Sequence, residues 1–113
     1  MRILYVTGNS AKLRTAQNFL QEMGIEVEQG VVDVDEIQSE SIEKIALDKA
    51  RKSFEILQRP LIVNDSGWFF LGLNGFPGAF MKYVNQWFSG ENFLDLTRNL
   101  KDRRVILKQV IVW

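Results

Sequence analysis

The sequence predicts a layered α/β fold, a mixed sheet with flanking helices, on three observations. Short apolar runs rich in β-branched residues recur at Ile3 to Val6, Leu61 to Val63 and Val105 to Trp113. Longer segments between them carry apolar residues at helical spacing. Glycine- and proline-bearing turns separate these segments, with no linker, repeat or low-complexity stretch. Strands alternating with helices in this way build α/β layers.

Each element has its own justification. Ile3 to Val6 reads as a buried strand. Thr7-Gly8-Asn9-Ser10 has turn and N-cap chemistry. A helix then places Leu13, Ala16, Leu20 and Met23 on one face, and Gly24 suits the residue just past its end. Ile25 to Val32 alternates weakly and reads as a second strand. The acidic segment DVDEIQSE, which opens at Asp33, forms a loop. Ser41 caps a helix to about Leu57, with Ile42, Ile45, Ala46, Ala50, Phe54 and Leu57 as its inner stripe. Pro60 opens a third strand over Leu61 to Val63, which ends at the turn-forming residues Asn64-Asp65-Ser66-Gly67.

Nine of the thirteen aromatic residues fall between Trp68 and Phe93, around the irregular loop GLNGFPG. Helices follow from about Ala79 to Phe88 and from Glu91 to Leu100. Val105 to Trp113 reads as a strong final strand. A strand so apolar asks for a neighbour to cover it. The expectation is therefore a single partial domain over residues 1–113, the N-terminal portion of a longer architecture.

Composition bounds the chemistry. The chain has no cysteine and no histidine. That excludes disulfides, thiolate and imidazole metal sites, a cysteine nucleophile and a Ser-His-Asp triad. Catalysis here must use carboxylates, lysine, hydroxyls, backbone amides or an oxygen-bound metal. Fourteen basic residues balance fourteen acidic ones, so no basic excess drives binding to nucleic acid. The balance is uneven, with ten acids and seven bases over residues 1–56 and four and seven over 57–113. No apolar run approaches the ~20 residues of a membrane span, and the N-terminus has no signal-peptide pattern. The expected compartment is the cytoplasm.

Five places can carry chemistry, and each also has a plain structural reading. The strand–Thr7-Gly8-Asn9–helix junction offers free N–H groups at a positive helix end, with Lys12 one turn in. It suits a phosphate, or it is a cap and turn beside a solvated lysine. Asp65, with Ser66 beside it, follows the third strand, where α/β sheets gather ligands. It suits Mg²⁺ or an attacking water, or it is an Asx turn. Glu36 follows the second strand and can join Asp65 on a metal, or it belongs to a solvated acidic face. Lys49 lies on the apolar stripe of its helix and either snorkels or meets an anion. The aromatic stretch is core, a base-stacking surface or a subunit interface.

Taken in order, these motifs resemble the inosine triphosphate pyrophosphatase family, which acts on non-standard purine nucleoside triphosphates. ILYVTGNSAKL is similar to its strand–TGNxxK–helix opening. DEIQSESIEKIALDKA is similar to its metal-bearing glutamate segment and the helix after it. PLIVNDSGWFFLGLNGFPGAF resembles its aspartate and Gly-x-Pro-Gly region, and LKDRRVILKQVIVW its next long strand. The resemblance implies Thr7, Gly8, Asn9 and Lys12 around the triphosphate, with Lys49 and Ser66 on substrate phosphates. It implies Glu36 and Asp65 as metal ligands, with Asp65 catalytic. It further implies Mg²⁺ as cofactor, a homodimer, and cleavage between the α- and β-phosphates of ITP, XTP or dITP to a monophosphate and pyrophosphate. Asn64 stands where the family usually has a second acidic residue, and the family's C-terminal base-recognition half has no counterpart. A non-catalytic nucleotide- or polyphosphate-binding or interaction module is the alternative.

Overall fold

The computed structural model describes residues 1–113. Five strands and four helices occur in the order β1 (Arg2–Val6), α1 (Ser10–Gln21), β2 (Glu26–Gly30), α2 (Ile42–Leu57), β3 (Leu61–Phe70), β4 (Pro77–Gly78), α3 (Met81–Trp87), α4 (Gly90–Thr97) and β5 (Val105–Val112). A 3₁₀ turn over Leu71–Leu73 links β3 to β4. The sheet is mixed, in agreement with the sequence reading: β1 runs parallel to β2 and β3, whereas β4 and β5 pair antiparallel with β3.

The apolar stripe of α2 sets the core. Ala46 and Ala50 pack against Leu4 and Val6 of β1 and Leu61 and Val63 of β3, with Leu57, Val110 and Val112 at the margin. Small residues at these helix positions let α2 sit close to the sheet. Ser41 caps the helix by accepting from the Lys44 N–H, as its position before the stripe predicts. The stripe differs from expectation at one turn: Phe54 is exposed, and Ser53 is fully buried. Ser53 lies eleven residues after Ile42, which is a helical repeat position, so its placement follows from spacing where its polarity suggests otherwise.

The larger difference concerns β3. The expected strand ends at Val63, with a turn over Asn64 to Gly67. The observed strand continues to Phe70, because β5 pairs with every residue from Val63 to Phe70. Asn64, Asp65, Ser66 and Gly67 are turn-forming residues locally, but a ladder from a distant segment holds them extended. At its start β3 also pairs with β1, through Leu4–Leu61 and Tyr5–Ile62. Asp65 therefore sits just where β3 leaves its parallel partner, beside the loop that follows β1.

Candidate active site

Three local structures converge at this point. The first is the loop Thr7–Asn9 between β1 and α1. The Thr7 hydroxyl accepts from the Asn9 N–H at 3.1 Å. The Asn9 side-chain oxygen caps α1, accepting from the N–H groups of Ala11 at 3.0 Å and Lys12 at 3.1 Å. The Asn9 oxygen is thus committed to the cap, which preorganises the first helical turn. Gly8 has open space around the position of a Cβ, so nothing within the chain itself demands glycine there.

The second structure is α2, which brings Lys49 to the same loop. Lys49, Thr7, Gly8 and Gly30 line a cavity of ≈ 150 Å³. Lys49 is half-buried, and no carboxylate lies within ion-pair distance of it. The lysine on the apolar stripe thus reaches the loop after β1.

The third is β3 itself. Burial holds the half-buried Asp65 carboxyl above its ordinary value, and the nearby Glu36 carboxylate pushes it the same way. The Ser66 N–H, which donates to the Asp65 carboxylate at 3.0 Å, pulls in the opposite direction, as do Lys49 and Lys12. Glu36 comes from the acidic loop and lines a ≈ 320 Å³ cavity with Phe80, Tyr83 and Trp87. Of the four acids in that loop, Glu36 is the one whose charge Asp65 feels.

Strand alternation divides the neighbours of Asp65. Asn64 and Ser66 lie on the opposite face of β3 from Asp65. Asn64 faces the α1 side, where its side-chain oxygen accepts from the Lys12 ammonium at 3.4 Å. Asn64 and Lys12 share a ≈ 440 Å³ groove there with Asn9, Tyr5, Gln109 and Ile111. The Ser66 side chain, on that same face, is separated from the carboxylate pair. The Lys12–Asn64 contact escapes sequence reasoning because it depends on β3 staying extended past Val63. The signal that finds it is period-two alternation carried through the NDSG segment.

Glu36 and Asp65 form a pair, and no group of three or more His, Cys, Asp or Glu side chains comes together anywhere. The donors are hard oxygens, and the two carboxylates are close enough for one to raise the other. Mg²⁺ is commonly held by one or two carboxylates plus substrate phosphates. The pair therefore fits such a cation in the presence of a polyphosphate.

Comparison with known proteins identifies the family and the fold. The family described as Ham1 matches residues 3–112. The dITP/XTP pyrophosphatase of Methanopyrus kandleri is 40% identical over 111 residues, which cover 98% of this chain and 59% of that protein. The enzyme of the same name from Thermococcus kodakarensis is 33% identical over 113 residues, covering 100% of this chain and 61% of its own length. The solved structure of the Staphylococcus aureus Ham1 protein superposes with a TM-score of 0.78 at 26% identity, over 98% of this chain and 62% of that one. The chain thus spans about three-fifths of the length of the relatives it matches. With the fold matched throughout and the family pattern running almost from end to end, the chain belongs to the Ham1 family.

Proposed function

We propose that this chain carries the phosphate and metal side of a nucleoside triphosphate pyrophosphatase. It hydrolyses non-standard purine nucleoside triphosphates (ITP, XTP, dITP) to the monophosphate and pyrophosphate. The observation that supports this most directly is the meeting at the end of β1 of a half-buried Asp65, its partner Glu36, and the two lysines Lys12 and Lys49. The names of the relatives, dITP/XTP pyrophosphatase and inosine triphosphate pyrophosphatase, point the same way.

Phosphoryl chemistry asks a protein chiefly for positioning and charge neutralisation. In this reading the positive N-terminal end of α1 and the Thr7-Gly8-Asn9 loop before it receive the phosphates, with the Asn9 cap holding the first helical turn in place. Lys12 approaches the triphosphate from the α1 face and Lys49 from the α2 face. Ser66 contributes a contact to the phosphates from the α1 face of β3. Asp65 orients the attacking water and accepts its proton, a task helped by a carboxyl held above its ordinary value. Glu36 and Asp65 would hold Mg²⁺. When bound, Mg²⁺ supplies neutralisation of phosphate charge. The working protein in this reading is a cytoplasmic homodimer.

Pyrophosphate release from ITP, dITP and ATP, with and without Mg²⁺, tests the proposal. Release is expected from ITP and dITP in preference to ATP, and only with the metal. Asp65→Asn is expected to lower it roughly a thousandfold, the rate equivalent of about 4 kcal/mol. A chain that binds triphosphate but releases no pyrophosphate with any divalent metal is instead a polyphosphate-binding module. Asn64, an amide directly beside Asp65, is the feature that favours this second reading.

A further inference from the structure

The loop between β2 and α2 carries Glu36 and has little to hold it. Seven of the ten residues from Val31 to Glu40 are exposed. No backbone–backbone hydrogen bond involves any of them, and none of their carboxylates forms an ion pair. Val32 rests against the core at the start of the loop. At its end the Ser39 hydroxyl accepts from the Ser41 N–H at 3.0 Å, a bond between near neighbours. One hydrogen bond reaches the middle from another element. The Lys52 ammonium of α2 donates to the Asp35 carbonyl at 3.0 Å. A segment with so few fixed contacts depends heavily on each one.

That bond grips the loop at Glu36 itself. The Asp35 carbonyl and the Glu36 N–H belong to one planar peptide unit, so holding the first constrains where the Glu36 side chain departs. The ammonium is held from its other side as well, 2.7 Å from the Asp48 carboxylate one turn earlier on α2. α2 packs on the core through Ala46 and Ala50, which gives the tether a rigid base. Beyond Glu36, Ile37, Gln38 and Ser39 line the cavity beside α3. Glu36 thus stands between the Lys52 tether and that cavity, close enough for its charge to reach Asp65.

We infer that Lys52 is a positioning residue, holding Glu36 beside Asp65 through the Asp35 carbonyl for a divalent cation that the two carboxylates share. This rests on the reading of that pair as a metal site, but its test does not need hydrolysis. The probe is Mn²⁺ alone, which takes the same oxygen ligands as Mg²⁺. Its affinity for the full ¹⁵N-labelled chain is read from paramagnetic broadening of the Asp65 and Glu36 amide signals. Lys52→Met and Lys52→Ala both keep good helix formers on α2, so one serves if the other disturbs the fold. Each is expected to weaken Mn²⁺ binding about tenfold. Charge alone predicts the opposite, since removing a nearby positive charge favours a cation. Lys52→Arg, which can donate to the same carbonyl, is expected to bind within about threefold of the original chain. Without metal, ¹⁵N relaxation should show the Glu36 amide less ordered in Lys52→Met and unchanged in Lys52→Arg.

Affinity equal to or above the original in Lys52→Met and Lys52→Ala overturns the inference and leaves the metal pair standing. A loss of affinity with the Glu36 amide as ordered as before overturns it too, because the lysine then acts by another route. No broadening at Asp65 in the original chain removes the metal pair and the inference with it. If affinities and order come out as stated while no pyrophosphate is ever released from ITP, the positioning role stands and the hydrolytic reading fails.

Discussion

Asp65 is half-buried beside Glu36, so the folded chain disfavours its charged form. The consequence for stability has a definite sign. The carboxyl titrates higher in the folded chain than in the unfolded one. Below the ordinary carboxylate range both states are protonated and no penalty exists. As pH rises through the folded-state value, the folded chain must either keep a proton or hold an unfavourable charge, and stability falls. Asp65→Asn has nothing to ionise. In EDTA it is therefore expected to melt a few degrees above the unsubstituted chain at pH 7, with the difference closing below about pH 4. Thermal denaturation followed by circular dichroism from pH 3.5 to pH 8 measures this. A variant that melts no higher than the original at pH 7 removes the account of Asp65 as a charge held against the preference of the fold. The substitution that abolishes the proposed chemistry should thus stabilise the protein, as expected where a site is built at some expense of stability.

At the scale of the element, β3 organises everything else. β4 pairs closely with its C-terminal part, and Gly67 makes that close approach feasible. A Cβ at Gly67 would lie 2.3 Å from the Gly78 carbonyl oxygen and 2.8 Å from the Ile42 side chain. The first neighbour is backbone and cannot rotate away. Gly67→Ala is expected to destabilise by about 1–3 kcal/mol through this overpacking, read as a lower midpoint in urea unfolding. A midpoint equal to that of the original chain would mean that β4 can retreat without loss. β3 also shows where local sequence stops being informative. The cap at Ser41, the α2 stripe and the loop after β1 follow from patterns within one or two helical turns, and the structure places them as those patterns require. The extension of β3 through Asn64-Asp65-Ser66-Gly67 depends on a partner strand some forty residues later. The same residues that signal a turn locally are held straight by a ladder they cannot encode alone. The proposed site is legible in part for the same reason: Thr7, Gly8, Asn9 and Lys12 lie on one contiguous motif. The Asn64 partner of Lys12 was not, because it exists only once β3 is extended.

The whole molecule is thin and elongated for its length. Its radius of gyration is 16.2 Å and its extents are 50 × 30 × 20 Å, against about 13 Å expected for a compact chain of this size. Only 16 of 113 residues are buried, so one layer of core under α2 carries most of the packing. β5 shows the consequence most plainly. It pairs with β3 along one edge and with no other strand. Ile106 and Leu107 are half-exposed, Ile111 more so, and Trp113 almost fully. Lys108, which pairs with Glu43 of α2, is the strand's single charge. An extended apolar edge with one lysine and no proline is a template for pairing with another strand. The chain is therefore expected to self-associate as its concentration rises, with β5 edges meeting. Leu107→Lys combined with Ile111→Lys places two charges on one face of that strand, where they oppose pairing. Both positions are half-exposed or more, so the substitutions should change stability little, within about 0.5 kcal/mol each. Sedimentation velocity over a concentration series distinguishes the cases. The original chain should sediment as a growing average mass, and the double variant should stay at its monomer mass near 13.1 kDa. A monomeric original chain at every concentration, or equal association in the double variant, would show that β5 is not the surface through which copies meet.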